Sequence, residues 1–500
     1  MRRLSRSTLP SVDRALRPRV DPASLGVGIV HLGIGAFHRA HQAVYTEDAL
    51  AAAAAGGAAD LNWGICGVTQ RSPAVVAQLG PQDGLYSILQ RGAQHTDLRV
   101  VGTVRDLLFA AAAGDRLTAL LATSRTRLVT LTVTEKGYRH DPATGRLLTS
   151  DPQIVADLAG RAPGTAVGQL VRGLAARRGL DGGPVTLLSC DNLPANGEVL
   201  RRLLLEFCAL LPTTEGEPLA EWITANVAFP SCVVDRIVPA TTESDRTEAA
   251  ARLRLTDCGV VVTEPFRQWV VQDTFAAGRP PWELAGAILT ADIEPYEALK
   301  LRLLNGSHST LAYLGALADL PYICDAIKVP GLETLVTRFM AEEVVPTLAI
   351  PDGFDVPAYQ RELLERFANP ALRHRSTQIA MDGSQKLPQR LLATIRDRLA
   401  AGAEPRLACL GVAAWMRYVW CGRTEGGAPL PIDDPLSGRL RELTSPASTP
   451  ADVVNALLSL TPVFGLDLPQ HPIFRELVTD ELAALSRNGI RDTVRAIAAE

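Results

Sequence analysis

The chain has 500 residues, 47% hydrophobic and 21% charged, more than one core usually holds, so two domains are expected. A net charge of −4 gives no basic field for nucleic acid, and no apolar run reaches the roughly 18–20 residues of a membrane span. Eight cysteines, none in a Cys-x-x-Cys pair and most inside apolar runs, indicate reduced thiols in a cytoplasmic setting rather than disulfides or a zinc site.

The first 20 residues are rich in Arg but lack an apolar h-region, so they do not read as a secretory signal. Residues 28–32 read as a buried strand. It runs into Gly33-Ile34-Gly35-Ala36-Phe37-His38-Arg39-Ala40-His41 and a helical stretch to about residue 55. Strand, glycine turn and helix make a phosphate-binding βα corner. Gly33 permits the tight turn, and Gly35 lets backbone approach a pyrophosphate. The third glycine of the usual motif is replaced by His38, and a Gly-x-Gly turn also arises without any nucleotide. Arg39 is placed to meet a phosphate. His38 and His41 have the spacing of a metal pair, but no acid or cysteine lies near them, so no metal is expected.

Residues 63–68 read as the second strand. It ends at Thr69-Gln70-Arg71 without the acid that holds a ribose in NAD-binding units, which leaves NADP open beside NAD. Further strands read at 85–89, 98–104, 127–133, 185–190 and 260–263, with helices between them, as at 166–178 and 198–211. This alternation predicts an α/β fold with a mostly parallel, doubly wound sheet, whose site lies at the carboxyl ends of its strands. Two polar clusters fall there. One is Thr132-Val133-Thr134-Glu135-Lys136-Gly137-Tyr138. The other is Ser189-Cys190-Asp191-Asn192-Leu193-Pro194-Ala195-Asn196-Gly197. Asp191, Asn192 and Asn196 suit either turns and caps or a binding edge.

Strand signals fade near residue 292, and helices read at 298–320, 332–348, 359–367, 385–401, 407–420, 451–460 and 473–499. A dinucleotide-binding domain over 1–290 and a helical substrate domain over 291–500 are expected. Within 299–314 a wide apolar helix pattern is interrupted by Lys300, Asn305 and His308, which α-helical spacing puts within an arc of ~140°. A lysine there either snorkels to water or loses its charge and becomes a usable general base. Residues 369–390 hold a basic cluster, Arg373, His374, Arg375, Lys386 and Arg390, suited to a solvated surface or to gripping a carboxylate.

The run from Ile29-Val30-His31-Leu32-Gly33 to Gln42, the two strand-end clusters, Val234-Asp235-Arg236-Ile237, Glu264-Pro265-Phe266-Arg267-Gln268-Trp269-Val270 and Lys300-Leu-Arg-Leu-Leu-Asn305-Gly-Ser-His308 occur in this order in one family. Together they resemble the mannitol dehydrogenase family of polyol-specific long-chain dehydrogenases, over roughly residues 26 to 490. The resemblance implies a Rossmann-type N-terminal domain, a mostly helical C-terminal domain and metal-independent hydride transfer with NAD, NADP remaining possible. It implies Lys300 as general base, Asn192 and Asn305 holding the reacting oxygen, and His308 positioning it. Gly33, Ile34, Gly35, Ala36, Phe37, His38, Arg39, Thr134 and Glu135 are the expected cofactor residues. Asp235, Arg373, His374, Arg375 and Lys386 are the expected substrate residues.

Three cationic departures resemble the fructuronate reductase branch: Lys136, Arg267 and the segment from Arg373 to Arg390. They favour D-mannonate/D-fructuronate, with D-mannitol/D-fructose or another polyol as the alternative. Leu193-Pro194 is in contrast what mannitol-type members often show. An inactive nucleotide-binding regulator on the same fold is the remote reading. The expected partners are a small sugar acid or polyol, no nucleic acid and no membrane, in a monomer or small homo-oligomer.

Overall fold

Ile29 buries toward one side of its strand while Val30 and Leu32 bury toward the other, because successive strand side chains point to opposite faces. The same division recurs along the neighbouring strands, so a separate apolar core lies on each face of the sheet. The computed structural model describes residues 1–57, 60–141, 144–160 and 162–500. It divides into two units, Met1–Ile293 and Glu294–Glu500.

Unit 1 is built on six strands: β1 (Val27–Leu32), β2 (Gly64–Thr69), β3 (Val104–Phe109), β4 (Leu128–Leu131), β5 (Val185–Ser189) and β6 (Val227–Ala228). All pair in parallel, in the spatial order β3-β2-β1-β4-β5-β6. This is the doubly wound order in which ligands bind where the winding reverses, at the carboxyl ends of β1 and β4. The expected α/β class is therefore observed.

Two three-stranded sheets accompany it. One joins Val261–Thr263, Tyr86–Arg91 and Thr96–Val101, and the other Ile288–Thr290, Gln268–Gln272 and Cys232–Asp235. The single strand read at 98–104 is two strands that belong to different sheets. Gly102 separates them, its N–H donating to the buried Glu47 carboxylate at 2.6 Å. The helix expected to run unbroken to residue 55 is cut at His41, whose φ of −118° and ψ of −87° lie outside the helical region. Its ring is held by Gln268 O at 2.8 Å.

Unit 2 is helical. Ser307–Leu317 is buried along its whole length and packs on Ser376–Ala380 and Arg406–Cys421, which in turn packs on Pro472–Asn488. The sequence predicts plain α-helices here, and three stretches depart from that. Leu299–Gly306, Phe339–Val344 and Pro388–Leu392 are π-helical. Pro388 supplies a local reason for the third, since it has no N–H for the α-helical ladder. The first packs against both others, and Gly306 lies at that contact. A Cβ there would stand 2.8 Å from Arg390 O and 3.4 Å from the Phe339 ring.

Among the described residues no helix is long and apolar enough to cross a membrane, and no cluster of three or more His, Cys, Asp or Glu could hold a metal.

Candidate active site

The glycine corner after β1 works differently at its two glycines. Gly33 has a φ of +98°, and a Cβ on it would stand 2.2 Å from Thr132 O, so the fold itself demands glycine. Gly35 has an ordinary φ of −90°, and a Cβ there would meet only Gly33 O at 3.7 Å. Among the described residues no other atom outside its chain neighbours comes within 4 Å of that position. A backbone cleared of side chain where β1 ends and the sheet order reverses fits a dinucleotide phosphate, which needs close backbone approach.

Beneath the corner lies a histidine stack. His31, in β1, faces Thr130 Oγ1 at 2.7 Å and Thr132 Oγ1 at 2.9 Å. The His38 ring stacks on it with centroids 3.4 Å apart and planes 16° apart. Burial drives His31 down to about 3 and His38 well below the usual histidine range, so both rings are neutral. The structure thus seats His38 inside the unit, at 1% exposure, rather than on an open ligand face. Ile34 is buried too, whereas Ala36 and Phe37 are half-buried, with Phe37 stacked on His41 at 5.1 Å. Where the sequence places Arg39 against a phosphate, the structure holds its guanidinium within the fold. It donates to Gly259 O at 2.6 Å and Gly35 O at 3.2 Å and lies 5.5 Å from the Tyr86 ring.

At the ends of β4 and β5, Asp191 collects the chain. Its carboxylate accepts from Thr134 N–H at 2.8 Å, Val133 N–H at 3.1 Å and Tyr138 O–H at 2.7 Å. Burial pushes its carboxyl up to about 6 although three donors face it. Thr134, Glu135 and Asn192 are exposed around this clamp. Asn196 is purely architectural. Its buried amide donates to Cys232 O at 2.8 Å and accepts from Cys232 N–H at 3.0 Å. Asp235, 6% exposed, ends the Cys232–Asp235 strand opposite Gln268. Arg267, read as a cation for a substrate carboxylate, is paired instead with Asp48.

In unit 2, Lys300 and His308 are each 8% exposed and Asn305 is half-buried. A π-helix bonds from residue i to i+5 and winds more slowly per residue than an α-helix, so Lys300 and Asn305 lie nearer one face of Leu299–Gly306 than α spacing allows. The His308 ring lies 5.3 Å from Phe367 and 5.1 Å from His374. Burial pushes His308 well below its ordinary range, and His374, Arg390, Arg366 and Lys386 push the same way. A neutral ring keeps one donor and one acceptor, which suits positioning a hydroxyl or carbonyl oxygen. His374 is driven to about 4 by burial and by Lys386.

The structure divides the expected basic cluster. Lys386 and Arg390 act on His308, and Lys386 Nζ donates to Met381 O. Arg373 is exposed, 4.6 Å over the Tyr322 ring and donating to its hydroxyl at 3.1 Å, and Arg375 is exposed at the start of Ser376–Ala380. Sequence reasoning left two organising groups without a firm role, His31 and Asp191. The available signal was a polar residue inside an otherwise apolar strand and an acid directly at a strand's carboxyl end.

Comparison with known proteins agrees with this architecture. The family model described as the mannitol dehydrogenase Rossmann domain matches residues 27–284, and that of the mannitol dehydrogenase C-terminal domain matches residues 292–486. D-mannonate oxidoreductase of Escherichia coli (strain K12) is 42% identical over 486 residues, 96% of this chain and 98% of that protein. The uncharacterized oxidoreductase YeiQ of the same strain is 44% identical over 483 residues, 96% of each chain. The solved ternary complex of Pseudomonas fluorescens mannitol 2-dehydrogenase with NAD and D-mannitol matches with a TM-score of 0.88 at 36% identity, covering 100% of both chains. Matched by family models across both of its units and by relatives along nearly its whole length, the chain belongs to the mannitol dehydrogenase family.

Proposed function

We propose that the protein is an NAD-dependent secondary-alcohol dehydrogenase that interconverts D-mannonate and D-fructuronate. The observation that carries the cofactor class is the β1 corner, where Gly35 leaves open the space its Cβ would take, in a family with a relative solved bound to NAD and D-mannitol. Support for the acid substrate comes from the 42% identity to D-mannonate oxidoreductase and from the cations Arg366, Lys386 and Arg390 whose charge reaches His308. A mannonate or fructuronate carries a carboxylate, which cationic side chains bind and which mannitol lacks.

Bound NAD supplies a hydride acceptor. The chain's own groups handle the proton and the oxygen. Lys300 takes the proton from the alcohol as hydride leaves carbon, and returns it in the reverse direction. Asn305 donates an amide hydrogen to the oxygen as negative charge develops on it, and the neutral His308 ring orients it.

Oxidation of D-mannitol is the second reading, favoured by the likeness to the mannitol 2-dehydrogenase complex. Initial rates of NADH oxidation with D-fructuronate and with D-fructose at equal concentration separate the two. A clear preference for fructuronate is expected, and a preference for fructose replaces the acid reading with the polyol one. NADH binding with no turnover on either would point to a regulator.

A further inference from the structure

β4 and β5 end side by side, and one carboxylate joins the segments that follow them. Asp191 directly precedes the exposed Asn192, and both of its oxygens are used across the gap. Oδ1 accepts from Thr134 N–H at 2.8 Å, and Oδ2 accepts from Val133 N–H at 3.1 Å and Tyr138 O–H at 2.7 Å. Tyr138 Oη lies 2.6 Å from Ser189 Oγ, which closes the link back onto β5.

The residue so held is strained. Thr134 has φ +66° and ψ 163°, a region that is almost the preserve of glycine, and its side chain is β-branched. Such a conformation persists only where surrounding contacts over-determine it. The N–H to Asp191 Oδ1 holds one side of Thr134 and Gly137 N–H holds its carbonyl at 2.9 Å, while the bond from Val133 fixes the approach to it. Beyond it, Glu135–Tyr138 forms a single 3₁₀ turn whose last hydroxyl returns to the same carboxylate.

We propose that Asp191 is a positioning residue: as a carboxylate it locks the strained Thr134 turn and Asn192 into one fixed relation and so presents that strand-end edge to the dinucleotide. This rests on reading unit 1 as NAD-binding. The geometry favours the charged form because three donors converge on two oxygens. An amide turns one of these acceptors into a donor and leaves a backbone N–H facing it, and a protonated carboxyl weakens one acceptor. Among the titratable groups, Tyr138 acts on Asp191 by hydrogen bond and Glu135 by charge, while the buried Cys190 thiol beside it stays neutral.

The test is NADH affinity, measured by fluorescence titration of the full chain between pH 7.5 and 5, with melting temperature recorded alongside. The wild type should bind progressively more weakly as pH falls through about 6, where the Asp191 carboxyl takes up its proton. Asp191→Asn should bind about tenfold more weakly at pH 7.5 and lose most of that pH dependence, tenfold corresponding to about 1.4 kcal/mol. Tyr138→Phe removes one donor that favours the carboxylate, so its midpoint should move upward while the backbone clamp persists. A merely structural aspartate would change melting temperature and leave the binding profile unaltered.

Wild-type affinity and pH profile in Asp191→Asn overturn the proposal. If that variant does not fold, an unmoved midpoint in Tyr138→Phe overturns it. Absence of NADH binding by the wild type overturns the cofactor reading instead.

Discussion

Arg267 Nη1 donates to Asp48 Oδ2 at 2.7 Å while its guanidinium lies 4.4 Å over the Tyr45 ring. Asp48 also receives Arg99 at 2.6 Å and Arg19 at 3.0 Å, so one nearly buried carboxylate neutralises part of a cationic group of three. Arg267 is therefore a structural cation. Arg267→Met should lower stability by about 1.5–3 kcal/mol, the worth of hydrogen bonds to a charged group. The preference for fructuronate over fructose should stay nearly unchanged. Denaturant melts paired with kcat/KM for both substrates check this, and a selective tenfold loss for the acid, about 1.4 kcal/mol, would return Arg267 to substrate binding.

Lys300→Ala should reduce turnover by about 10²–10⁴, the usual yield of a positioned general base, with NADH affinity kept. Asn305→Ala should cost about 10²–10³ in kcat, as removal of one preorganised donor does. Steady-state rates beside NADH titrations separate these effects from cofactor loss. Near-normal turnover in Lys300→Ala would end its assignment as base.

Gly33 and Gly35 separate fold from ligand. Gly33→Ala must accommodate a Cβ 2.2 Å from Thr132 O at a φ of +98°, and should be expressed poorly or melt far below the parent. Gly35→Ala meets only Gly33 O at 3.7 Å, so its melting point should match the parent. Its NADH affinity should nevertheless fall by at least about tenfold, since the methyl occupies ground the dinucleotide needs. A Gly35→Ala protein that binds NADH normally would place the phosphates elsewhere.

His38 gives a pH signature. Its folded value lies well below 6.5, through burial first, with the neighbouring His31 and Arg39 also disfavouring its cation, and neither ring nitrogen makes a well-formed hydrogen bond. Below pH 6.5 the unfolded chain takes up a proton that the folded one refuses, so stability falls with pH by up to about 1.4 kcal/mol per unit for this residue. Replacing it with leucine removes that penalty. The stability of His38→Leu relative to the parent should therefore rise as pH is lowered from 7.5 to 5, and a constant difference in urea unfolding would refute the buried neutral state.

Much of this was readable from residue order. The β1 corner, the parallel α/β class and the change to helices near residue 292 follow from local patterns that tertiary contacts did not override. What was not readable depended on partners far along the chain. Arg267 is paired with a residue 219 positions away, and Arg39 donates to a carbonyl 220 positions away, so both looked like free cations. The π-helical turns were hidden for another reason. Leu299–Gly306 has the leucine content of an α-helix, and the closeness of Gly306 to Arg390 O is a property of packing alone.

Those turns have a consequence for how the chain tolerates change. A π-helical turn holds one residue more than the α-helical turn it replaces, so each behaves as a one-residue insertion absorbed inside a continuous helix. Deleting a single leucine between Lys300 and Asn305 would let the segment relax into a regular helix with its ends and burial kept. Lys300 would then be rotated by about 100° relative to His308. Folding and chemistry in this stretch thus answer to different rulers: the bundle counts helical length, while the candidate base and its neighbours count residues.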